Sequence, residues 1–253
     1  MTERLAISAV LPCFEEVENL PGVVARLGRA LVEVASSHEI LLVVSERARD
    51  GTPELARRLA EVRGDVRVLT QRAADPGYGR ALALGLEAAR FEWLLLTDAD
   101  GQFDHAELPR LVALTPGRDL VVGYRASRHD SLARRAASRL YGEVATRLTG
   151  TSGVTDLDCA FKLVRARLVE GPPLRSRTGV INAELLGRAL ARGARLAEVP
   201  VTHLARTAGR ARFELRVGRL GAVPRPTEAW AIARETLVIA VRRFMASSRA
   251  GTS

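Results

Sequence analysis

Through the first half of the chain, short apolar runs alternate with segments whose hydrophobic residues recur at helical spacing, and no other feature constrains the fold as strongly. This alternation is the pattern of βαβ units building a mainly parallel sheet flanked by helices, an α/β architecture. Ala6 to Leu11 reads as the first strand, closed by Pro12. After a polar turn, Asn19 can cap a helix with Pro21 near its first position and Val24, Leu27, Leu31 and Val34 on its apolar face. Glu39 to Val44 is a second strand, Asp50-Gly51-Thr52-Pro53 opens another helix, Val66 to Leu69 is a third strand, and Gly79 leads into a helix through Ala89. Trp93 to Thr97 and Leu120 to Gly123 are the fourth and fifth strands.

Further on, Ser131 to Leu148 has helical period, with Leu132, Ala136, Leu140, Val144 and Leu148 near one face. Phe161 to Val164 reads as an edge strand, Asn182 to Arg192 as a helix, and Arg195 to Val199 as a strand ended by Pro200; a Gly- and Arg-rich loop follows from Ala205 to Arg212. From Pro226 to Met245, Trp230, Ala233, Leu237, Val241 and Phe244 line one face of a C-terminal amphipathic helix. Neither repeats nor a low-complexity linker divide the chain. The simplest organisation is one domain over residues 1–223 and a helical extension over residues 224–253, and a chain of 253 residues suffices for an α/β domain that buries ~70–75% of its unfolded surface.

Charge narrows the partners. Lys and Arg total 38 against 29 Asp and Glu, a net charge of +9, and Lys162 is the single lysine, so 38 − 1 = 37 of the cations are arginine. Arginine grips phosphate with two parallel hydrogen bonds, which suits nucleotides, nucleic acid or an anionic membrane surface. With 4% aromatics the chain offers few stacking platforms, and no nucleic-acid-binding motif is present, so nucleic acid is not an expected partner. Two cysteines, Cys13 and Cys159, without zinc spacing, fit a reducing cytoplasm. No signal peptide is evident, and the longest aliphatic stretches, Ile40 to Val44 and Leu237 to Val241, fall far short of the ~20 residues that span a bilayer. The expected place is the cytoplasm, with any membrane contact peripheral and at the inner face.

Open α/β sheets bind ligands beyond the carboxyl ends of their strands, so the residues following each apolar run carry the chemistry. The fourth run, Trp93 to Thr97, passes directly into Asp98-Ala99-Asp100-Gly101-Gln102. Hard oxygen donors at this density suit Mg²⁺ or Mn²⁺, ions that complete an octahedral shell with water and substrate phosphate, and such an ion can bridge a diphosphate. A solvated acidic turn is the plainer alternative. Asp75-Pro76-Gly77-Tyr78-Gly79-Arg80 precedes a helix and lets a phosphate or ribose come close to the backbone, although it matches neither the Walker A nor the full dinucleotide spacing.

These segments, taken in order, resemble the family-2 glycosyltransferases of GT-A fold, nearest the dolichol- or polyprenyl-phosphate sugar synthases, over most of residues 5–213. Val10 to Leu20 is similar to the family's opening strand and its Pro-x-x-Asn-Glu-x-x-Asn-Leu turn, with Glu15 where Asn is usual. Gly77-Tyr78-Gly79-Arg80-Ala81-Leu82 resembles the Gly-rich helix start, Asp98, Asp100 and Gln102 the metal site, Gly123-Tyr124-Arg125 the Gly-Ser-Arg segment, and Asp156 to Lys162 the acceptor-side Asp-x-x-Cys-Gly-Phe-Lys block. Glu184-Leu185-Leu186, Glu198-Val199-Pro200-Val201 and Arg206-x-x-Gly209 are similar to its closing motifs.

The resemblance implies an inverting transfer of sugar from a nucleotide-sugar donor, UDP- or GDP-linked, to a polyprenyl phosphate. It implies donor contacts at Pro12, Phe14, Glu16, Ser45, Glu46, Gly79, Arg80, Asp98 and Ala99. Mg²⁺ or Mn²⁺ would sit on Asp98, Asp100 and Gln102, neutralising charge on the departing diphosphate. A lipid phosphate is already anionic, so Arg125, Arg206 and Arg134 become acceptor clamps; a hydroxyl acceptor would instead need Asp156 or Asp158 as base. The family also allows a homodimer. One departure stands out: the usual Asp-Asp-Gly-Ser-x-Asp-Gly-Thr is replaced by Ser45-Glu46-Arg47-Ala48-Arg49-Asp50-Gly51-Thr52, which keeps open an unusual donor or a non-catalytic nucleotide-binding module. Of the histidines, His203 lies in a loop able to close over substrate, whereas His38, His105 and His129 suggest surface or packing roles.

Overall fold

Residues 4–125, 145–206, 216–218, 221–223 and 226–250 are described by the computed structural model. The first strand, β1 (Leu5–Cys13), is apolar nearly throughout because both of its faces are covered. Ile7, Ala9 and Leu11 pack into one layer with Val24, Leu27 and Leu31 of α1 (Leu20–Val34), while Val10 faces Leu82 and Leu86 of α3 (Tyr78–Ala88) in the other. Buried parallel strands therefore read as continuous apolar runs. Each fully buried leucine or isoleucine contributes roughly 1.5–3 kcal/mol relative to exposure.

Around β1 the chain builds a seven-stranded sheet in the order β3-β2-β1-β4-β6-β5-β7, with β2 (Ala35–Ser45), β3 (Val66–Gln71), β4 (Trp93–Leu96), β5 (Leu120–Arg125), β6 (Lys162–Arg165) and β7 (Leu196–Val201). All neighbouring pairs are parallel except those of β6, which runs antiparallel to β4 and β5. α2 (Thr52–Val62), α4 (Leu108–Ala113) and α5 (Ile181–Ala191) complete the flanking layers. The hairpin β8 (Arg216–Gly218) and β9 (Gly221–Val223) precedes α6 (Pro226–Ala250). The α/β reading with a mainly parallel sheet holds.

Several local expectations change. The strand expected at an edge over Phe161 to Val164 is β6, inside the sheet with Leu163 and Val164 fully buried; a run of four residues cannot report whether one neighbour or two will pair with it. Pro200 does not end β7 but lies within it opposite Tyr124, a position open to proline because β7 is the edge strand. β2 begins at Ala35, since Ser37 and His38 pair with Ala6 and Ile7 despite their polarity. Asn19 has helical backbone angles and no capping bond, and its amide donates to Glu16 Oε2 at 2.6 Å. The helix expected over Ser131 to Leu148 lies mostly outside the described residues, of which 145–149 are helical. The apolar face of α6 points outward, with Trp230 72% and Phe244 75% exposed and Leu237 and Val241 exposed beside them. The helix meets the domain instead through Glu235, the buried Thr236, and Arg243, which donates to the carbonyl of Arg147 at 3.1 Å.

Candidate active site

Parallel register places the carboxyl ends of β1, β2, β4 and β5 at one rim of the sheet, and the expected site residues gather there. Pro12 does not close β1 but pairs within it opposite Val43, with Cys13 the last strand residue opposite Val44, and the turn beyond holds Phe14 and Glu15. Glu15 has φ 55°, the left-handed conformation that Asn tolerates better than Glu, so the departure at this position carries backbone strain. Glu16 then points back into the rim. Its amide donates to Thr52 Oγ1 at 2.9 Å, and Asp50 accepts from Val17 N at 3.0 Å and from Thr52 Oγ1 at 2.7 Å, so the β2–α2 loop and the β1 turn are tied together.

β4 delivers the acidic pair. Asp98 accepts a hydrogen bond from the Tyr78 hydroxyl at 3.1 Å, and burial, then the charge of Asp100, push its carboxyl well above the usual carboxylate range, against the pull of Tyr78, Lys162 and Arg125. Burial and the nearby Asp98 carboxylate likewise raise Tyr78. Asp100 Oδ1 accepts from Gln102 N at 3.0 Å, and its Oδ2 accepts from Arg206 Nη2 at 2.9 Å. The other arm of Arg206 reaches Glu16 Oε1 at 3.1 Å. Burial raises the Glu16 carboxyl, with Asn19 and Arg206 opposing.

Arg206 arrives there because the segment after β7 is stitched to the Asp98–Phe103 turn. Phe103 and His203 form a β-bridge and meet edge to face at 5.4 Å, Phe103 stacks on Phe161 at 5.7 Å, and Gln102 and Leu204 exchange bonds of 2.8 and 3.0 Å. Gln102 thus gives its side-chain amide to Leu204 and its backbone N–H to Asp100. Among the described residues no three His, Cys, Asp or Glu form a metal-ligand cluster. The carboxylates of Asp98 and Asp100 fit an octahedral cation: the donors are hard oxygens, and the guanidinium of Arg206 already stands opposite Asp100 as a positive counter-charge.

The acceptor-side block is also ordered. Asp156 takes Arg125 in a bidentate pair, 2.7 Å to Nε and 2.9 Å to Nη2, and accepts from Arg125 N at 3.2 Å, which holds the guanidinium charged. The arginine expected to clamp phosphate and the aspartate expected as base are thus paired with each other. Asp158 is exposed on the following turn. Lys162 is fully buried and donates to Leu157 O, Cys159 O and Asn182 Oδ1, satisfying its three N–H groups while burial lowers its pKa. Arg134, His129 and Gly209 lie outside the described residues.

At the donor end Ser45 is buried and accepts from Arg47 N at 3.2 Å, while Glu46 accepts from Ala73 N at 2.7 Å and borders a cleft of about 200 Å³ shared with Arg49 and Arg57. Arg80 donates to Asp75 at 2.8 Å and to Leu174 O at 3.3 Å. Ala99 is buried beneath the acidic turn. Sequence reading missed Tyr78 as the partner of Asp98, Glu16 as the second anchor of Arg206, and Gln71, whose amide donates to Gly77 O at 2.8 Å; a tyrosine between two glycines before a helix was the one visible signal.

The sequence profile of Glycosyl transferase family 2 matches residues 8–171. An undecaprenyl-phosphate 4-deoxy-4-formamido-L-arabinose transferase of Pseudomonas aeruginosa is 32% identical over 209 residues, 82% of this chain and 60% of its own length. The protein of the same name from Aeromonas hydrophila is 29% identical over 216 residues, 85% of this chain and 64% of its own. This chain thus spans about 60–64% of the length of these relatives. Among solved structures, glucosyl-3-phosphoglycerate synthase from Mycobacterium tuberculosis superposes with TM-score 0.65 in complex with UDP, at 20% identity over 94% of this chain and 80% of that one. Its complex with Mn²⁺, UDP-glucose and glycerol 3-phosphate gives TM-score 0.65 at 18% identity. The likeness establishes the GT-A fold. With the profile covering the sheet from β1 through β6 and relatives above 30% identity matching four-fifths of the chain, the protein belongs to glycosyl transferase family 2.

Proposed function

We propose that this chain transfers a sugar from a nucleotide-sugar donor to a polyprenyl phosphate, with Mg²⁺ or Mn²⁺ held by Asp98 and Asp100. The observation that carries the reading is the pair of half-buried carboxylates at the end of β4, where burial and the charge of Asp100 make ionised Asp98 costly and a cation would relieve it. The ion, when bound, supplies electrostatic stabilisation of the departing diphosphate. Relatives named for undecaprenyl-phosphate transfer support the acceptor class, and solved neighbours holding Mn²⁺ with UDP-glucose support the donor class.

The chain's own groups have separable tasks. Tyr78 fixes the Asp98 carboxylate, which would hold the ion. Arg206 is held at the rim by Glu16 and Asp100, where a guanidinium can grip phosphate, and Asp100 would hold the ion beside it. The Gly77–Gly79 turn, Ser45, Glu46 and the β1 turn line the donor side, and Arg125 with Asp156 faces the acceptor side. The exposed Trp230, Leu237, Val241 and Phe244 face of α6, with Arg234 and Arg242 beside it, suits a peripheral anionic surface near a lipid acceptor. No helix among the described residues is long and apolar enough to cross a membrane.

A product assay tests this. With undecaprenyl phosphate, a panel of UDP- and GDP-sugars and Mn²⁺ or Mg²⁺, we expect glycosyl-lipid and nucleoside diphosphate to form together, chelator to stop both, and Asp100→Asn to lower turnover at least a hundredfold, on the order of the ~2.7–4 kcal/mol that a lost electrostatic contact to the transition state costs. Turnover unchanged in excess chelator, or transfer only to a small hydroxyl acceptor, overturns the reading.

A further inference from the structure

Four successive backbone N–H groups, Arg175 to Thr178, are taken by two carboxylates from different helices. Arg175 N and Ser176 N donate to Glu184 Oε2 of α5 at 3.0 and 2.9 Å. Arg177 N donates to Glu235 Oε1 of α6 at 3.0 Å, and Thr178 N and Oγ1 donate to Glu235 Oε2 at 3.2 and 2.8 Å. With its N–H groups pinned, the segment turns carbonyls toward the start of α3: Gly79 N donates to Arg177 O at 2.9 Å. The approach is so close that a Cβ on Gly77 would lie 2.4 Å from Arg177 O, and one on Gly79 would lie 2.2 Å from Ser176 O. Gln71 holds Gly77 O from the opposite side at 2.8 Å, and Arg177 also meets Asp75 at 3.1 Å. Between these restraints sits Tyr78, whose hydroxyl donates to Asp98 at 3.1 Å.

We infer that Glu235 of the C-terminal helix is a positioning residue for the transfer reaction: it straps the 175–178 segment against the Gly77–Gly79 turn and so fixes Tyr78 on the Asp98 carboxylate. The inference rests on the function given to Asp98 above. Glu184 takes the Arg175 and Ser176 N–H groups from within the domain, whereas the N–H groups of Arg177, whose carbonyl accepts from Gly79, and of Thr178 are taken from α6. Three hydrogen bonds to one carboxylate also explain why a charged side chain faces the domain on a helix whose apolar face looks outward.

The test compares wild type with Glu235→Ala, Tyr78→Phe and the double variant, by amide hydrogen exchange and by steady-state kinetics with Mn²⁺, the UDP- or GDP-sugar used by the wild type, and undecaprenyl phosphate. Glu235→Ala is expected to speed exchange at Gly79 and to lower kcat/KM about tenfold, mainly through kcat, the effect of losing one well-formed hydrogen-bond relay. Tyr78→Phe is expected to lose a similar factor, and the double variant no more than either alone, because both act through one carboxylate. Glu235→Gln, which keeps an acceptor oxygen, recovers part of the rate. Wild-type exchange at Gly79 in Glu235→Ala overturns the strap, and losses that multiply in the double variant overturn the relay. Should Glu235→Ala fail to fold, Thr178→Val removes the shortest of the three bonds from the other side and is read the same way. A wild type that turns over no donor refutes the proposed function, while exchange at Gly79 still decides the strap.

Discussion

Gly79→Ala poses two physical effects of opposite sign. Gly79 is the second residue of α3 and its φ is not positive, so helix propensity alone favours alanine there by up to ~1 kcal/mol. Against this, the new Cβ would lie 2.2 Å from Ser176 O and 2.9 Å from Thr178 O, both backbone atoms that cannot rotate aside. A relaxed carbon–oxygen contact is ~3.3 Å or more, so the two segments must part by about 1 Å. Parting breaks the 2.9 Å bond from Gly79 N to Arg177 O, at ~1–3 kcal/mol for a buried donor left without a partner, and adds ~1–3 kcal/mol of overpacking strain. Sterics win, with a net loss of roughly 2–4 kcal/mol. For a chain of this size that is a fall in Tm of roughly 5–15 °C. Differential scanning calorimetry of wild type, Gly79→Ala and Gly64→Ala measures it; Gly64 is an exposed position where a Cβ meets nothing within 4 Å, and it should stay within ~0.5 kcal/mol of wild type. A Gly79→Ala protein as stable as Gly64→Ala would show that the close approach of the two segments does not exist in solution.

Two further outcomes follow from the same contacts. Asp156→Asn leaves the Arg125 guanidinium largely buried with half its partner, and we expect ~2–4 kcal/mol of lost stability by urea unfolding with unchanged m; a loss under ~0.5 kcal/mol contradicts the pairing. His105 is buried against Phe161 and pushed down to about 4 by desolvation, so it stays neutral in the fold. Below its ordinary pKa near 6.5 the unfolded chain takes a proton that the folded one refuses, so stability falls as pH drops from ~6.5 toward ~4, by about 2 kcal/mol at pH 5. His105→Gln, able to keep the bond to Thr97 Oγ1, should lack that slope, and stability curves that run parallel for the two proteins rule the explanation out.

The alternation of periods was enough to specify the α/β class, because a strand covered on both faces must be apolar at every position and its crossover helix must carry an apolar stripe. β1, β2, β4 and the helices α1 and α3 could each be placed to within a few residues for that reason. Asp98 and Asp100 were legible too, since an acidic turn at the end of a buried strand falls at the rim by geometry alone. What the sequence could not determine is pairing between distant segments. The insertion of β6 between β4 and β5 depends on which strands find each other across more than 35 residues, and four apolar residues look alike at an edge and in the interior. Arg206 meeting Glu16 and Asp100, and Glu235 gripping Arg177 and Thr178, join residues separated by 190, 106 and about 57 positions. Local propensity carries no information over such distances. Only the closed sheet, which brings the ends of its strands to one rim and lays the last helix beside it, decided which charges would meet.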